Sequence, residues 1–204
     1  MKNTFGLLGA CLCGVVLSCV PALSQMQGHH GQIHQHHKHD MLRMPGLHGR
    51  DTTAEEVADM ARMFRNFSSL SRQVTLLSNG IRTETTSTEP ILRDALLRHV
   101  IGMIDRVETG RDPEVRIQSP TLDIIFAKSA KLDTQIDITD TGIVVIQTSE
   151  DADLVTALHT HAAEVSDMVK RGMHAVHEAM AQRAQSHLHR LPPKTNPKEM
   201  NSDR

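Results

Sequence analysis

Fourteen histidines and eleven methionines stand in a chain of 204 residues that has no tryptophan, no tyrosine and only four phenylalanines. Imidazole binds copper, zinc, iron or nickel, and thioether binds Cu(I). With so few aromatic rings, stacking on bases or sugars is not a main mode of recognition. Most of the histidines fall into three groups. Seven crowd into "MQGHHGQIHQHHKHDMLRMPGLHGR": His29, His30, His34, His36, His37, His39 and His48. The first six form a tract that suits Cu²⁺, Zn²⁺ or Ni²⁺ with little discrimination, and that would also gain charge on acidification. A second group, Met173, His174, His177 and Met180, sits in "RGMHAVHEAMAQ". On a helix His174 and His177 share one face, and Met173, His177 and Met180 share another.

The third group is a pair, His99 and His161, 62 residues apart. Each ends a similar stretch: "NGIRTETTSTEPILRDALLRH" and "TGIVVIQTSEDADLVTALHTH". Laying residues 58–107 on 120–169 without a gap gives 13 identities in 50 positions. These include Phe64/Phe126, Gly80/Gly142, Ser87/Ser149, Leu96/Leu158 and His99/His161. Such self-similarity at a fixed offset reads as an internal repeat. Leu92, Leu96, His99, Met103 and Val107 recur at spacings of three and four, as do Leu154, Leu158, His161, Val165 and Met168, so each histidine points with the apolar residues of its helix. Two imidazoles at matched positions could converge on one metal ion, or on the iron of a haem from both sides. Met103, one turn after His99, is the next candidate ligand, with Met168 its counterpart. The bland alternative is a pair of core histidines, each bonded to a backbone carbonyl.

The elements that must carry these residues are legible. Thr53 and Glu56 make a capping box ahead of a helix through Met60, Met63 and Phe64. "RQVTLLSNGIRTETTS" reads as strand, tight turn, strand, with Asn79-Gly80 supplying a positive φ. Ser87 caps the next helix, with Pro90 in its first turn. Ser119-Pro120 starts a second round: a short helix, a hairpin turning at Gly142, and a last helix capped by Ser149 and running on to about residue 190. Strand "IVVIQ", apolar on both faces, belongs in the centre of a sheet. The expected fold is α+β: two tandem α-β-β-α repeats (about 53–110 and 115–172) forming a four-stranded antiparallel sheet with packed helices, related by a pseudo-twofold axis.

The ends read differently. Lys2, an apolar run to about Val20, Pro21 and then "ALSQ" describe an export signal over residues 1–24, cleaved before Gln25. All three cysteines (Cys11, Cys13 and Cys19) fall inside it. The mature chain then has no thiol and no transmembrane span. Lipid anchoring at Cys19 is the alternative processing route. Residues 25–51, Gly-, Gln- and His-rich without any period, read as a disordered segment, and 191–204 as a polar disordered tail. The ordered domain is placed at 52–190. A net charge of −2 argues against nucleic acid as a partner. There is no Gly-rich phosphate loop, no GxSxG elbow and no HExxH, so no enzyme is expected.

The pattern "NGI…TTS…L…H" followed by "TGIVVIQTS…HAAEVSDMVKRGM" resembles small exported bacterial proteins of uncharacterised function with a duplicated helix–hairpin–helix unit. The resemblance covers roughly residues 60–175. It implies export and a duplicated α+β domain, and carries over no catalytic residue. The expectation is a periplasmic or secreted, non-enzymatic binder of a transition metal, copper first and zinc or nickel next, serving buffering, delivery or resistance. A haem-binding or redox-linked protein using His99 and His161 is one alternative. A metal-independent interaction or sensor domain is the other.

Overall fold

The computed structural model describes residues 44–190. The export signal, the histidine tract from His29 to His39 and the tail from residue 191 lie outside the described residues. Five helices and four strands follow in order: α1 (Ala54–Arg65), β1 (Ser71–Leu77), β2 (Gly80–Thr86), α2 (Pro90–Glu108), α3 (Pro120–Ala127), β3 (Asp133–Ile138), β4 (Gly142–Thr148), α4 (Ala152–Arg171) and α5 (Met173–Arg190). The fold is α+β, and the strands form one antiparallel sheet in the order β1-β2-β4-β3. The "IVVIQ" strand, β4, is central.

Local chemistry sets the helix starts. Thr53 caps α1 in a full capping box: its hydroxyl accepts the Glu56 N–H, and the Glu56 carboxylate accepts the Thr53 N–H at 2.7 Å. The serines expected to cap α2 and α4 act two residues earlier than a cap would. Ser87 Oγ accepts the Glu89 N–H at 3.2 Å, and Ser149 Oγ accepts the Asp151 N–H at 3.1 Å. Glu89 and Asp151 are the actual N-caps. Asp151 accepts the Leu154 N–H and ion-pairs with Lys128 and Lys131 at 2.7 and 2.6 Å.

The core lies on one face of the sheet. Ile81, Thr83 and Thr85 of β2 are buried, while Arg82, Glu84 and Thr86 between them are half-buried, the period-two pattern of a sheet with one covered side. α2 lays Leu96 on Ile143 and Val145. α4 lays Leu154, Ala157, Leu158 and Ala162 into a cluster with Ile81, Val107, Ile125 and Phe126. Residues 44–50, grouped by composition with the histidine-rich segment, belong to this fold. Leu47 is fully buried against Met44, Met60 and Ala61. The Arg50 N–H donates to Pro113 O at 2.7 Å, and the Ile117 N–H to Gly46 O at 3.2 Å.

Two glycine expectations are corrected. Gly80 and Gly142 do not supply a positive φ. Among the described glycines only Gly110 and Gly172 have one, and neither Ser78 nor Asn79 does. Gly80 and Gly142 instead open β2 and β4, where a Cβ on Gly80 would run into Gln147 O and stand 2.8 Å from Thr148 Cα. One on Gly142 would run into Thr85 O and stand 2.8 Å from Thr86 Cα. The missing side chains let the two central strands close at both ends. The long last helix is also two helices. Gly172 adopts φ 59 and ψ −139 between α4 and α5, and a Cβ there would sit 2.6 Å from the Phe67 ring.

Gly80→Val and Gly142→Val are each expected to destabilise the fold by about 1–3 kcal/mol through this overpacking. Gly102, in mid-α2 with nothing within 4 Å of its would-be Cβ, is the control. Gly102→Ala should stabilise by roughly 0.5–1 kcal/mol. Urea midpoints of the three variants check both directions.

Candidate functional site

α1 is held to α2 by two ion pairs, each with one buried partner. Arg98 reaches Asp59 with Nε at 2.9 Å and Nη2 at 2.7 Å. Arg106 reaches Glu56 with Nε at 2.7 Å and Nη2 at 3.0 Å, and its Nη1 donates to Asp51 Oδ1 at 2.9 Å. Asp59 and Arg106 are only 3% and 4% exposed. The hydrogen bonds from Arg106 hold the Glu56 carboxyl down at about 2, against the opposing pull of burial. Between the two pairs lies a cleft of about 160 Å³ lined by Met60, His99, Gly102, Met103, Pro113 and Val115.

His99 projects from α2 into the cleft, half-buried. Its ring makes no hydrogen bond to any described residue. Burial pushes its pKa down to about 4, although Asp59 and Glu56 attract the proton. A charge on His161 works in the same direction as burial. The two imidazoles, one on α2 and one on α4, therefore stand near enough for the charge of one to reach the other.

His161 has a different surrounding. Its Nδ1 is buried without a hydrogen-bond partner, and so is Oε2 of Glu164, 3.9 Å away. That separation is too long for a hydrogen bond. The other oxygen, Oε1, accepts from Ser119 Oγ at 2.6 Å and from Thr121 Oγ1 at 3.3 Å. Ser119 is the N-cap of α3, so the start of one helix orients a carboxylate on the next. Burial works to raise the Glu164 pKa, but nearby His161 and the Ser119 and Thr121 bonds outweigh it and leave the carboxyl below its ordinary value.

The backbone-bonded histidine of the bland reading exists, but at another position. His159 Nε2 lies 3.1 Å from Leu77 O and 2.9 Å from Gly80 O and ties α4 to the first hairpin. Met103 lines the His99 cleft and packs beside the Leu158 cluster. Met168 is half-buried two turns beyond His161. Met173 packs against Met44, Leu47 and Met60 as core, whereas His174 and His177 are exposed and Met180 is 41% exposed. The final helix thus splits its candidate donors between core and solvent. His29, His30, His34, His36, His37 and His39 lie outside the described residues. Among the described residues no group of three or more His, Cys, Asp or Glu is placed to hold a metal ion, and no helix is long and apolar enough to cross a membrane.

Sequence reasoning missed Glu164, Ser119 and the Arg98–Asp59 and Arg106–Glu56 pairs. Glu164 follows His161 by three residues, one helical turn, which was readable. Its counterpart after His99 is Gly102, so comparing the halves hid it. No protein-family model, curated protein or solved structure matches this chain.

The low His99 pKa predicts acid sensitivity in the metal-free protein. Between about 6.5 and about 4 the unfolded chain binds a proton that the folded chain refuses, so stability falls as pH drops through this window. The expected loss is about 1–3 kcal/mol, and His99→Gln should flatten it. A second loss, from the depressed Glu56 pKa, belongs between about 4.5 and about 2 and should survive that substitution. Denaturant midpoints measured across pH distinguish the two.

Proposed function

We propose that this chain is an exported, non-enzymatic binder of a transition-metal ion, with His99 and His161 as its ordered ligands and the tract from His29 to His39 as a capture segment. One observation carries the reading: the imidazoles of His99 and His161 make no hydrogen bond to a described residue, and the buried Nδ1 of His161 has no hydrogen-bond partner, so neither takes the backbone carbonyl that a packing histidine takes. Neutral imidazole is the ligating form, and burial keeps His99 neutral well below pH 7. Every cysteine lies within the first 24 residues, so coordination in a cleaved chain falls to imidazole, thioether and carboxylate. Copper is the first candidate and zinc or nickel the next. Met103 lines the His99 cleft and is the nearest soft donor on α2.

The reading includes a duplicated unit, because matched copies would bring one imidazole from each half. The strand register supports this. β2 pairs with β4 so that Gly80 faces Thr148 and Thr86 faces Gly142, and exchanging the halves by 62 positions returns the same pairs. The Ser87 N–H donates to Thr141 O and the Ser149 N–H to Asn79 O, both at 2.9 Å, and the same exchange swaps these bonds. The pseudo-twofold axis would pass through the Thr83–Val145 pair.

Protein isolated from the exported fraction without a metal-affinity step should carry stoichiometric copper or zinc by elemental analysis. A chain that is metal-free and takes up neither ion would overturn the reading. Deleting residues 25–43 should lower the metal stoichiometry without moving the urea midpoint of the metal-free protein. The cut stops short of Met44 because Met44 and Leu47 are core.

A further inference from the structure

We infer that Glu164 is a third protein ligand of the His99–His161 site, and that the site takes a divalent borderline ion, Zn²⁺ or Cu²⁺, in preference to Cu(I). The inference rests on the reading of His99 and His161 as ligands and adds a residue and a metal class to it. Its basis is a pair of buried polar atoms that make no hydrogen bond and meet only each other, at ion-pair range. They are His161 Nδ1 and Glu164 Oε2, which face each other at 3.9 Å. Metal–nitrogen and metal–oxygen bonds of about 2.0–2.2 Å at a tetrahedral angle set two donors about 3.4 Å apart. The observed gap lies outside hydrogen-bonding range and has to close by about 0.5 Å when the ion binds.

The carboxylate is also prepared in the way ligands are. Ser119 and Thr121 hold Oε1 and leave Oε2 turned towards His161, the outer-shell orientation typical of metal-binding carboxylates. Ser119 is itself fixed, because its Oγ accepts the Thr121 N–H at 3.3 Å while donating to Glu164. The donor set is then two imidazoles and a carboxylate, which suits Zn²⁺ or Cu²⁺, whereas Cu(I) favours thioether or thiolate. Because no ready three-donor group exists among the described residues, His99 has to move towards His161 when the ion binds.

The test uses the full chain with His29, His30, His34, His36, His37 and His39 replaced by Gln, so that the tract does not mask the ordered site. Zn²⁺, Co²⁺ as its spectroscopic substitute, Cu²⁺ and Cu(I) are titrated separately. The expected result is one Zn²⁺ site whose affinity falls at least about tenfold in Glu164→Gln and about tenfold in Ser119→Ala. Cu(I) affinity should stay unchanged in both variants, whereas the metal-free melting temperature of Ser119→Ala should fall with the loss of the α3 cap, so Zn²⁺ affinities are compared at a temperature where every variant is fully folded. The Co²⁺ visible spectrum should lose intensity in Glu164→Gln as coordination changes. If His161→Asn abolishes Zn²⁺ binding while Glu164→Gln leaves affinity and spectrum intact, Glu164 is no ligand although the wider reading stands. If the tract-free chain binds no Zn²⁺, Cu²⁺ or Cu(I), the metal reading itself fails. Tighter binding of Cu(I) than of Zn²⁺, lost on Met103→Leu, would overturn the assigned metal class.

Discussion

The close approach of β2 to β4 governs where everything else sits. The pairing runs from Gly80 opposite Thr148 to Thr86 opposite Gly142, and glycine stands where a side chain would strike the neighbouring strand's backbone. That seam fixes the register, and a slip of one residue would turn Ile81, Ile143 and Val145 away from the helices. Burying those side chains is worth roughly 1.5–3 kcal/mol each, so the alternative registers are heavily penalised. With the register fixed, α2 must lie over β4 and α4 beside β2 on the same face. The places of His99 and His161 are set by this layer of two helices.

The ion pairs between α1 and α2 act on top of that frame. In each pair one charge is buried and its partner, Arg98 or Glu56, keeps contact with solvent, so the net gain is small and the larger loss would come from stranding the buried charge. Arg98–Asp59 and Arg106–Glu56 therefore add direction more than strength. Two bidentate contacts eight residues apart on α2 fix both the rotation and the sliding of α1. What remains between them is a small cleft whose polar wall is already satisfied internally. His99 is the one titratable group lining it with neither a hydrogen bond nor an ion pair among the described residues. Glu56 serves twice here, closing the capping box with Thr53 and receiving Arg106, so the start of α1 and its docking are coupled through one carboxylate.

Much of this frame was legible in the sequence, because short-range chemistry decided it. The capping box at Thr53, the two hairpins, the central place of "IVVIQ" and the shared face of Leu92, Leu96 and His99 all follow from spacing. The glycines were read with the right importance and the wrong reason. A turn glycine suggests a positive φ, but close approach between strands far apart in sequence leaves no local sign. The break at Gly172 was hidden for a like reason, since its need comes from Phe67, about a hundred positions earlier. Leu47 was lost to composition: a single leucine after a run of histidines carries no periodicity, and its burial depends on Met60 and Ala61 of α1. His159 and His161 could not be told apart by type. Only the carbonyls of Leu77 and Gly80, supplied by another part of the chain, make the first a structural histidine.

The contrast between the surroundings of the two histidines bears most directly on function. His99 is flanked by Asp59, Arg98 and Gly102, while His161 has Glu164, Ser119 and Thr121. If the halves are copies, as proposed, an ancestral pair would have been symmetric, and a symmetric pair of imidazoles offers an ion only two donors. A carboxylate at 164 opposite a glycine at 102 breaks that symmetry in a particular sense. One side gains a donor that is already ionised and oriented by the start of α3. A site assembled this way would be half-built before the ion arrives, and its affinity would be reduced by whatever it costs to turn His99. That compromise suits a protein that must release what it binds, since an ion held by three fully preorganised ligands leaves slowly. The unpaired atoms of His161 and Glu164 would then be the stored half of the binding energy, and the mobility of His99 would set how much of it is realised.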